Sequence, residues 1–387
     1  MTLPLRKPLT ALVMTGGGAR AAYQVGVLRA ICELMPQDAG NPFPILCGTS
    51  AGALNATALA AYSSQFRRGV RRLNRVWANF RVGHVFRAGP ISITRSGARW
   101  LLAMMLGRFT GSASAYMLDR DPLAALLQRH LPFEQIQGAI DSGDLHALSI
   151  SASGYSSGES VNFFQGVDSV KPWRRARRIG MRSSIELDHL MASSAIPFLF
   201  KAVPIHREFF GDGSMRQQAP ISPALHLGAE RILVIGVNKD PADEPARIET
   251  HDYPSPAQIA GHIFSSIFLD SLDADLERLA RINTTLEAIP PAQRQELGIR
   301  LREVETLVVS PSEDLGEIAE RHAHHLPRML RFFLRGIGAT SRGGASLVSY
   351  LLFEKSYCQE LISLGYADAM RQKEALTDFL LSCVQEK

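Results

Sequence analysis

The chain has 387 residues, 46% of them apolar and 20% charged, with a formal net charge of +5. This length admits one large domain or two smaller ones, and this balance excludes a disordered chain. No apolar run is long and uninterrupted enough to cross a bilayer. Met1–Thr10 lacks the apolar segment and cleavage site of a signal peptide. The cysteines Cys32, Cys47, Cys358 and Cys383 have no paired spacing. The expected setting is therefore a reducing cytoplasm.

In chain order, Ala11–Thr15 reads as a short apolar strand. It runs into Gly16-Gly17-Gly18-Ala19-Arg20 and then a helix from about Ala21 to Leu34. Three readings of the glycine row stand open: a loose dinucleotide fingerprint, Gly16-x-Gly18-x-x-Ala21; a loop of bare amides pointing into a site; and a plain turn. A P-loop is excluded, because no Gly-Lys-Ser/Thr follows. Pro42–Cys47 reads as a second strand, and Ala51–Ala61 as an alanine-rich helix. The turn between them holds Gly48-x-Ser50-x-Gly52, the pattern of a nucleophile elbow. A serine at the tip of so tight a turn needs neighbours without a Cβ on either side. The helix starting at Ala51 aims its amides and positive dipole end at the same point. Two strand–helix units with short loops predict a parallel sheet, with both glycine loops at its carboxyl edge, where ligands of such sheets sit.

Further along, Ser64–Phe80 reads as an amphipathic helix with Arg67, Arg68, Arg71, Arg72 and Arg75 opposite Val70, Leu73, Val76, Trp77 and Phe80. Trp100–Leu106 reads either as a buried helix or as an adaptable lipid-contact or lid segment. Asp144–Gly154 and Ser160–Gln165 read as strands. A second basic cluster spans Lys171, Arg174, Arg175, Arg177, Arg178 and Arg182 around Trp173. Each cluster is either a solvated face or an attraction to an anionic lipid surface. Nucleic acid is disfavoured, because no zinc-finger, recognition-helix or RNA-binding signature accompanies them. Pro197 ends a short helix, Glu208–Asp212 is an apolar run that tips into Gly211-Asp212-Gly213, and Arg231–Val237 is a buried strand. Asp240–Pro256 reads as a boundary. Helices are expected over Ala257–Leu279 and Leu315–Arg335, with a strand-like Glu305–Val309 between them, and a last pair ending near Leu381 after Arg342-Gly343-Gly344. Asp270, Asp273 and Asp275 read as a solvated helix face. The histidines His322, His324 and His325 do not share a face with an acid, so no metal site is expected.

Four blocks occur in order: Gly16-Gly17-Gly18-Ala19-Arg20, Gly48-Thr49-Ser50-Ala51-Gly52, Ala192-Ser193-Ser194-Ala195-Ile196-Pro197 and Asp212-Gly213. Together they resemble the blocks of the patatin-like phospholipases over roughly Leu9–Val237. The resemblance implies a three-layer α/β/α fold with a mostly parallel central sheet. It implies a catalytic domain over residues 1–240 and a mostly helical extension over 251–387, packed on or extending the core. It implies a lipid acyl hydrolase with a Ser–Asp dyad and no catalytic histidine. Ser50 is then the nucleophile and Asp212 the base. Gly16, Gly17 and Gly18 form the oxyanion hole, Arg20 supports that loop, and Gly48 and Gly52 frame the elbow. The substrate is a phospholipid or other lipid ester, met at a transient anionic membrane surface by a cytoplasmic protein. No metal or organic cofactor is expected, since ester cleavage needs a nucleophile, a base and oxyanion donors. Burial among Phe209, Phe210 and the sheet edge is expected to raise the Asp212 pKa. Ala21 and Ser214 stand where family members often have glycine. A transacylase with the same dyad, a lipid-binding module with a vestigial site, and a nucleotide-binding protein built on Gly16–Ala21 are the alternatives.

Overall fold

Alternation of side chains along β1 (Thr10–Met14) sets the layering. Leu12 and Met14 enter one apolar core, and Ala11 and Val13 enter another on the opposite face. The same split recurs at Leu46 against Ile45 and Cys47 on β2 (Ile45–Thr49), and at Leu233 and Ile235 against Ile232 and Val234 on β9 (Arg231–Ile235). A sheet with a core on each face is the middle of three layers. The computed structural model describes residues 8–87, 116–239, 259, 271–299, 301–336 and 345–381. Trp100–Leu106, Asp240–Pro256, Asp270 and the Arg342-Gly343-Gly344 loop lie outside them.

The remaining strands are β3 (Ala147–Gly154), β4 (Ser160–Gly166), β5 (Trp173–Arg175), β6 (Arg178–Arg182), β7 (Val203–Ile205), β8 (Glu208–Asp212) and β10 (Glu305–Val309). The sheet runs β10-β9-β1-β2-β3-β4-β6-β5, with β8 on β3 and β7 on β8. From β10 to β3 every pairing is parallel, and β4, β5, β7 and β8 bring in antiparallel ones. The expected mostly parallel α/β/α sheet is thus present, with an antiparallel flank.

One face is covered by α1 (Ala22–Leu34), α2 (Ala51–Ala61) and α3 (Phe66–Trp77). Next in the chain come α4 (Val82–Val85), α5 (Asp121–His130), α6 (Glu134–Asp141) and α7 (Leu187–Ser193). The other face is covered by α8 (Ser222–His226) and α9 (Ser271–Glu287). After α10 (Pro291–Glu296), residues 315–336 form not one helix but two, α11 (Leu315–His322) and α12 (Arg328–Gly336). A 3₁₀ turn at Ala323–His325 and Pro327 divide them, because proline and the residue before it resist a continuous helix. The chain then forms α13 (Ala345–Leu351), α14 (Lys355–Arg371) and α15 (Lys373–Leu381).

The C-terminal part enters the same cores. β10 extends the sheet beside β9, and α14 lies against α1 with glycine on both sides of the crossing. A Cβ on Gly26 would stand 2.1 Å from the Ile362 carbonyl oxygen, and one on Gly365 2.2 Å from that of Tyr23. The Tyr23 hydroxyl donates to the buried Asp368 at 3.0 Å across the same interface.

Two local expectations are corrected. Asp275 is not solvated: it is buried and accepts from the Ile221 amide at 3.1 Å, holding α9 to the start of α8. Phe209 does not shield Asp212. Neighbours on a strand face opposite ways, so Phe209 is exposed while Phe210 is buried against Phe163.

Candidate active site

Asp212 reaches Ser50 because two strands share one edge of β3. β2 pairs along that edge as far as Thr49 opposite Ser151. The chain then leaves the sheet at Ser50, and β8 takes up the edge with Asp212 opposite Ala152. The last residue of β8 therefore stands where the next residue of β2 would have been. Ser50 Oγ donates to Asp212 Oδ2 at 2.6 Å.

The turn that carries Ser50 is strained in the way the sequence pattern predicts. Ser50 has φ 52° and ψ −125°, a conformation that L side chains adopt only when the surroundings hold them there. What holds it is close backbone packing. A Cβ on Gly48 would meet the Gly52 carbonyl oxygen at 2.5 Å, and one on Gly52 would meet the Met14 carbonyl oxygen at 2.2 Å. The Ser50 carbonyl starts α2 by accepting from the Ala53 amide at 3.0 Å.

The Ala192–Pro197 block braces both partners. The Ser193 hydroxyl accepts from the Ser50 amide at 2.9 Å and donates to the Ser151 carbonyl at 2.7 Å. The Ala195 carbonyl accepts from the Asp212 amide at 2.9 Å. Ser194 Oγ accepts from Arg120 Nη1 at 3.0 Å. Arg120 also donates to the Met191 and Lys201 carbonyls and lies over the Phe200 ring. Sequence reading missed Arg120. It stands alone in the sequence after Asp119, and only the fold brings its guanidinium into the interior near Asp212.

Asp212 is fully buried. Desolvation raises its pKa to about 6, against the hydrogen bond from Ser50, the amide of Ser214 and the charge of Arg120. Burial in turn lowers Arg120 to about 10, partly offset by Asp212. The Ser214 amide donates to Asp212 Oδ1 at 3.0 Å. The residue at this glycine-rich position thus touches the carboxylate through its backbone amide.

The glycine row lies against the elbow. A Cβ on Gly16 would stand 3.1 Å from Ser50 Cβ, and one on Gly17 2.7 Å from Val237 Cγ2. Gly18 has φ 56°, and a Cβ there would stand 2.3 Å from the Tyr350 carbonyl oxygen. Arg20 is buried, donates from Nε to Ser349 Oγ at 2.7 Å and lies 4.8 Å from the Tyr350 ring centre. The loop is therefore seated on α13, which belongs to the C-terminal part. A narrow, mostly apolar chamber of about 30 Å³ touches Ser50 and Gly18 and is walled by Leu54, Trp77, Phe80 and Leu123. Gly16 lines a second, more polar cavity of about 320 Å³, reached by Ser214, Gln217 and Asn238.

The sequence model of the patatin-like phospholipases matches residues 12–225, which span both strands that carry this pair. The chain belongs to the patatin-like phospholipase family. Among curated proteins none matches its sequence. Among solved structures it is similar to VipD from Legionella pneumophila, at 12% identity and a TM-score of 0.35, over 96% of this chain and 67% of that one. It is also similar to human GIVD cytosolic phospholipase A2 in complex with methyl gamma-linolenyl fluorophosphonate, at 13% identity and a TM-score of 0.45, over 99% of this chain. The chain spans 61% of the length of that human protein. ExoU from Pseudomonas aeruginosa, solved with SpcU, follows at 16% identity and a TM-score of 0.27, over 98% and 80% of the two chains. Scores this low carry no argument about chemistry.

The two basic clusters are used differently. Arg67 is half-buried: its guanidinium caps the end of α1 through the carbonyls of Cys32, Met35 and Pro36. The second cluster forms the edge hairpin β5–β6, which charge patterning alone did not reveal. There Arg182 is tied to the Gly166, Val167 and Val170 carbonyls and Arg174 pairs with Glu159, while Arg175 and Arg177 are exposed. Among the described residues no helix is long and apolar enough to cross a membrane.

Proposed function

We propose that the protein is a serine lipid acyl hydrolase of phospholipase A or lysophospholipase type, with Ser50 as nucleophile and Asp212 as its base. The observation that carries this reading is the 2.6 Å bond from a strained, buried serine to a buried carboxylate. An aspartate in water is too weak a base for a serine hydroxyl. One whose pKa is raised to about 6 stays ionised at neutral pH and takes a proton more readily. Ser50 Oγ attacks the ester carbonyl as its proton passes to Asp212. The proton then goes to the departing alcohol, leaving the acyl group on Ser50. Water, deprotonated by Asp212, attacks that acyl-enzyme and releases the fatty acid. Amides of Gly16, Gly17 and Gly18 hold the developing oxyanion, and Arg20 fixes their loop to Ser349. Residues 1–240 hold the reacting groups, and residues 251–387 brace them through α13 and β10.

Two features support an ester substrate over a nucleotide. The backbone of Tyr350 occupies the space above Gly18 that a pyrophosphate would need, and the chamber beside Ser50 is apolar. The substrate class is a lipid ester whose acyl group meets the apolar wall beside Ser50, brought to an anionic lipid surface by the basic hairpin β5–β6. A second reading is favoured by the larger cavity lined by Gly16, Ser214 and Gln217: an acceptor alcohol bound there would turn the hydrolase into a transacylase.

The test is hydrolysis of short and long acyl p-nitrophenyl esters and of phospholipid, with Ser50→Ala and Asp212→Asn beside the wild type. Loss of about 10³-fold or more in both folded variants is expected. Equal rates in wild type and variants overturn the assignment. An added polyol acceptor that takes up the acyl group identifies the transacylase.

A further inference from the structure

A groove of about 590 Å³ lies between α3 and α5, beside the chamber at Ser50. The two spaces share walls: Leu54, Trp77, Phe80 and Leu123 line both. The polar atoms at this wall are already committed. Trp77 Nε1 donates to Asn55 Oδ1 at 2.8 Å, and Asn55 Nδ2 donates to Gln24 Oε1 at 2.9 Å. To a ligand, the wall offers only hydrocarbon and ring surface.

The rim of the groove is of opposite character. Arg68, Arg71, Arg72 and Arg75 line it from α3, at spacings that put them on one face of the helix. No aspartate or glutamate lines the groove, and none of the four makes an ion pair with a carboxylate of the described residues. Arg68 donates to Gln65 and Arg72 lies over the Tyr62 ring. Basic helices that merely face water commonly carry acids one turn away, which relieve the repulsion. α3 has none. Four uncompensated guanidiniums at the mouth of an apolar groove complement an anionic head on a hydrocarbon chain. The volume is that of a site for one small ligand.

We infer that this groove binds one long-chain carboxylate, a free fatty acid, with its head on the arginine rim and its chain along the wall shared with the Ser50 chamber. A guanidinium fork matches the two oxygens of a carboxylate. The inference rests on the proposed hydrolysis only for the origin of the acid, which that reaction would release next to the groove.

The experiment measures binding, not turnover. Ser50→Ala protein is titrated with oleate in a calorimeter, below the concentration at which oleate aggregates. Methyl oleate and oleoyl lysophosphatidylcholine serve as comparison ligands. The triple variant Arg68→Gln/Arg72→Gln/Arg75→Gln and the variant Leu127→Trp, each on the Ser50→Ala background, are titrated alongside. Leu127 lines the groove but not the chamber, so tryptophan there fills the groove alone. Saturable binding of one oleate is expected. It weakens about tenfold or more without the arginines or without the carboxylate charge, and it is lost in Leu127→Trp with the circular dichroism spectrum unchanged. No saturable binding of oleate overturns the inference. So does binding that both variants retain, or binding of the lysolipid in preference to oleate. If oleate fails to bind while the wild type hydrolyses esters through Ser50, the inference falls and the dyad reading stands. If rim-dependent binding is found in a protein without hydrolytic activity, the site stands and the hydrolase reading falls.

Discussion

As the proposed base, Asp212 joins two demands that pull against each other: it has to be buried to be basic, and burying it ionised is costly. Its shift from 3.8 to about 6 corresponds to about 3 kcal/mol against the charged form. For catalysis the base has to be unprotonated. The value of kcat/KM for a neutral ester is therefore expected to fall as pH drops through about 6 and to be level above it. For stability the sign is opposite. The folded pKa lies above the unfolded one, so the folded state is penalised progressively as pH rises from about 4 to about 6, and fully above that. Asp212→Asn removes the penalty. Its melting temperature at pH 8 is expected to exceed that of wild type, with the difference shrinking toward pH 4. A lower melting temperature at pH 8 contradicts this picture of the site.

At the level of elements, what the sequence makes legible is what is encoded locally. Ala51–Ala61 is read to the residue, because glycine before it and alanine within it leave no other structure. The strands around Val13, Leu46 and Val234 are plain from their apolar runs. The elbow is legible because its glycines are required by backbone contacts. The hairpin β5–β6 is not, since a run of arginines has no apolar alternation and strand pairing is decided across the chain. Arg120 and the bracing of the glycine row by α13 are equally hidden, because each joins positions far apart in sequence. The blocks at Ser193 and Ala195 are visible as a pattern, but their reason emerges only when Ser193 meets the Ser50 amide. The α1–α14 crossing leaves a trace in Gly26 and Gly365, which read alone as ordinary helix glycines. There the prediction is steric. Gly365→Val places carbon against the Tyr23 carbonyl and forces the helices apart, with a loss of about 1–3 kcal/mol or more in urea unfolding. An unchanged unfolding midpoint contradicts a crossing this close.

For the whole molecule, one sheet ties the Ser50–Asp212 pair to the chain's C-terminal part. β10 completes the sheet at one edge, α14 covers α1, and α13 carries the seat of the glycine row. At the other end of the sheet the hairpin β5–β6 presents Arg175 and Arg177 to solvent. The proposed hydrolysis of lipid requires the molecule to reach a lipid surface, so this edge is expected to bind anionic vesicles at low salt. Binding weakens once the screening length falls to about 8 Å, near physiological ionic strength. Co-sedimentation across a salt series measures it, and binding that ignores both salt and Arg175→Glu/Arg177→Glu contradicts a role for this edge.

In the proposed mechanism Ser50 is the residue that takes the acyl group. A long-chain fluorophosphonate reacts covalently with an activated serine, and mass spectrometry of the intact chain and its peptides shows where it has gone. One adduct per chain is expected, on the peptide containing Ser50, absent from Ser50→Ala and strongly slowed in Asp212→Asn. An adduct on another residue, or undiminished labelling of Ser50→Ala, contradicts it.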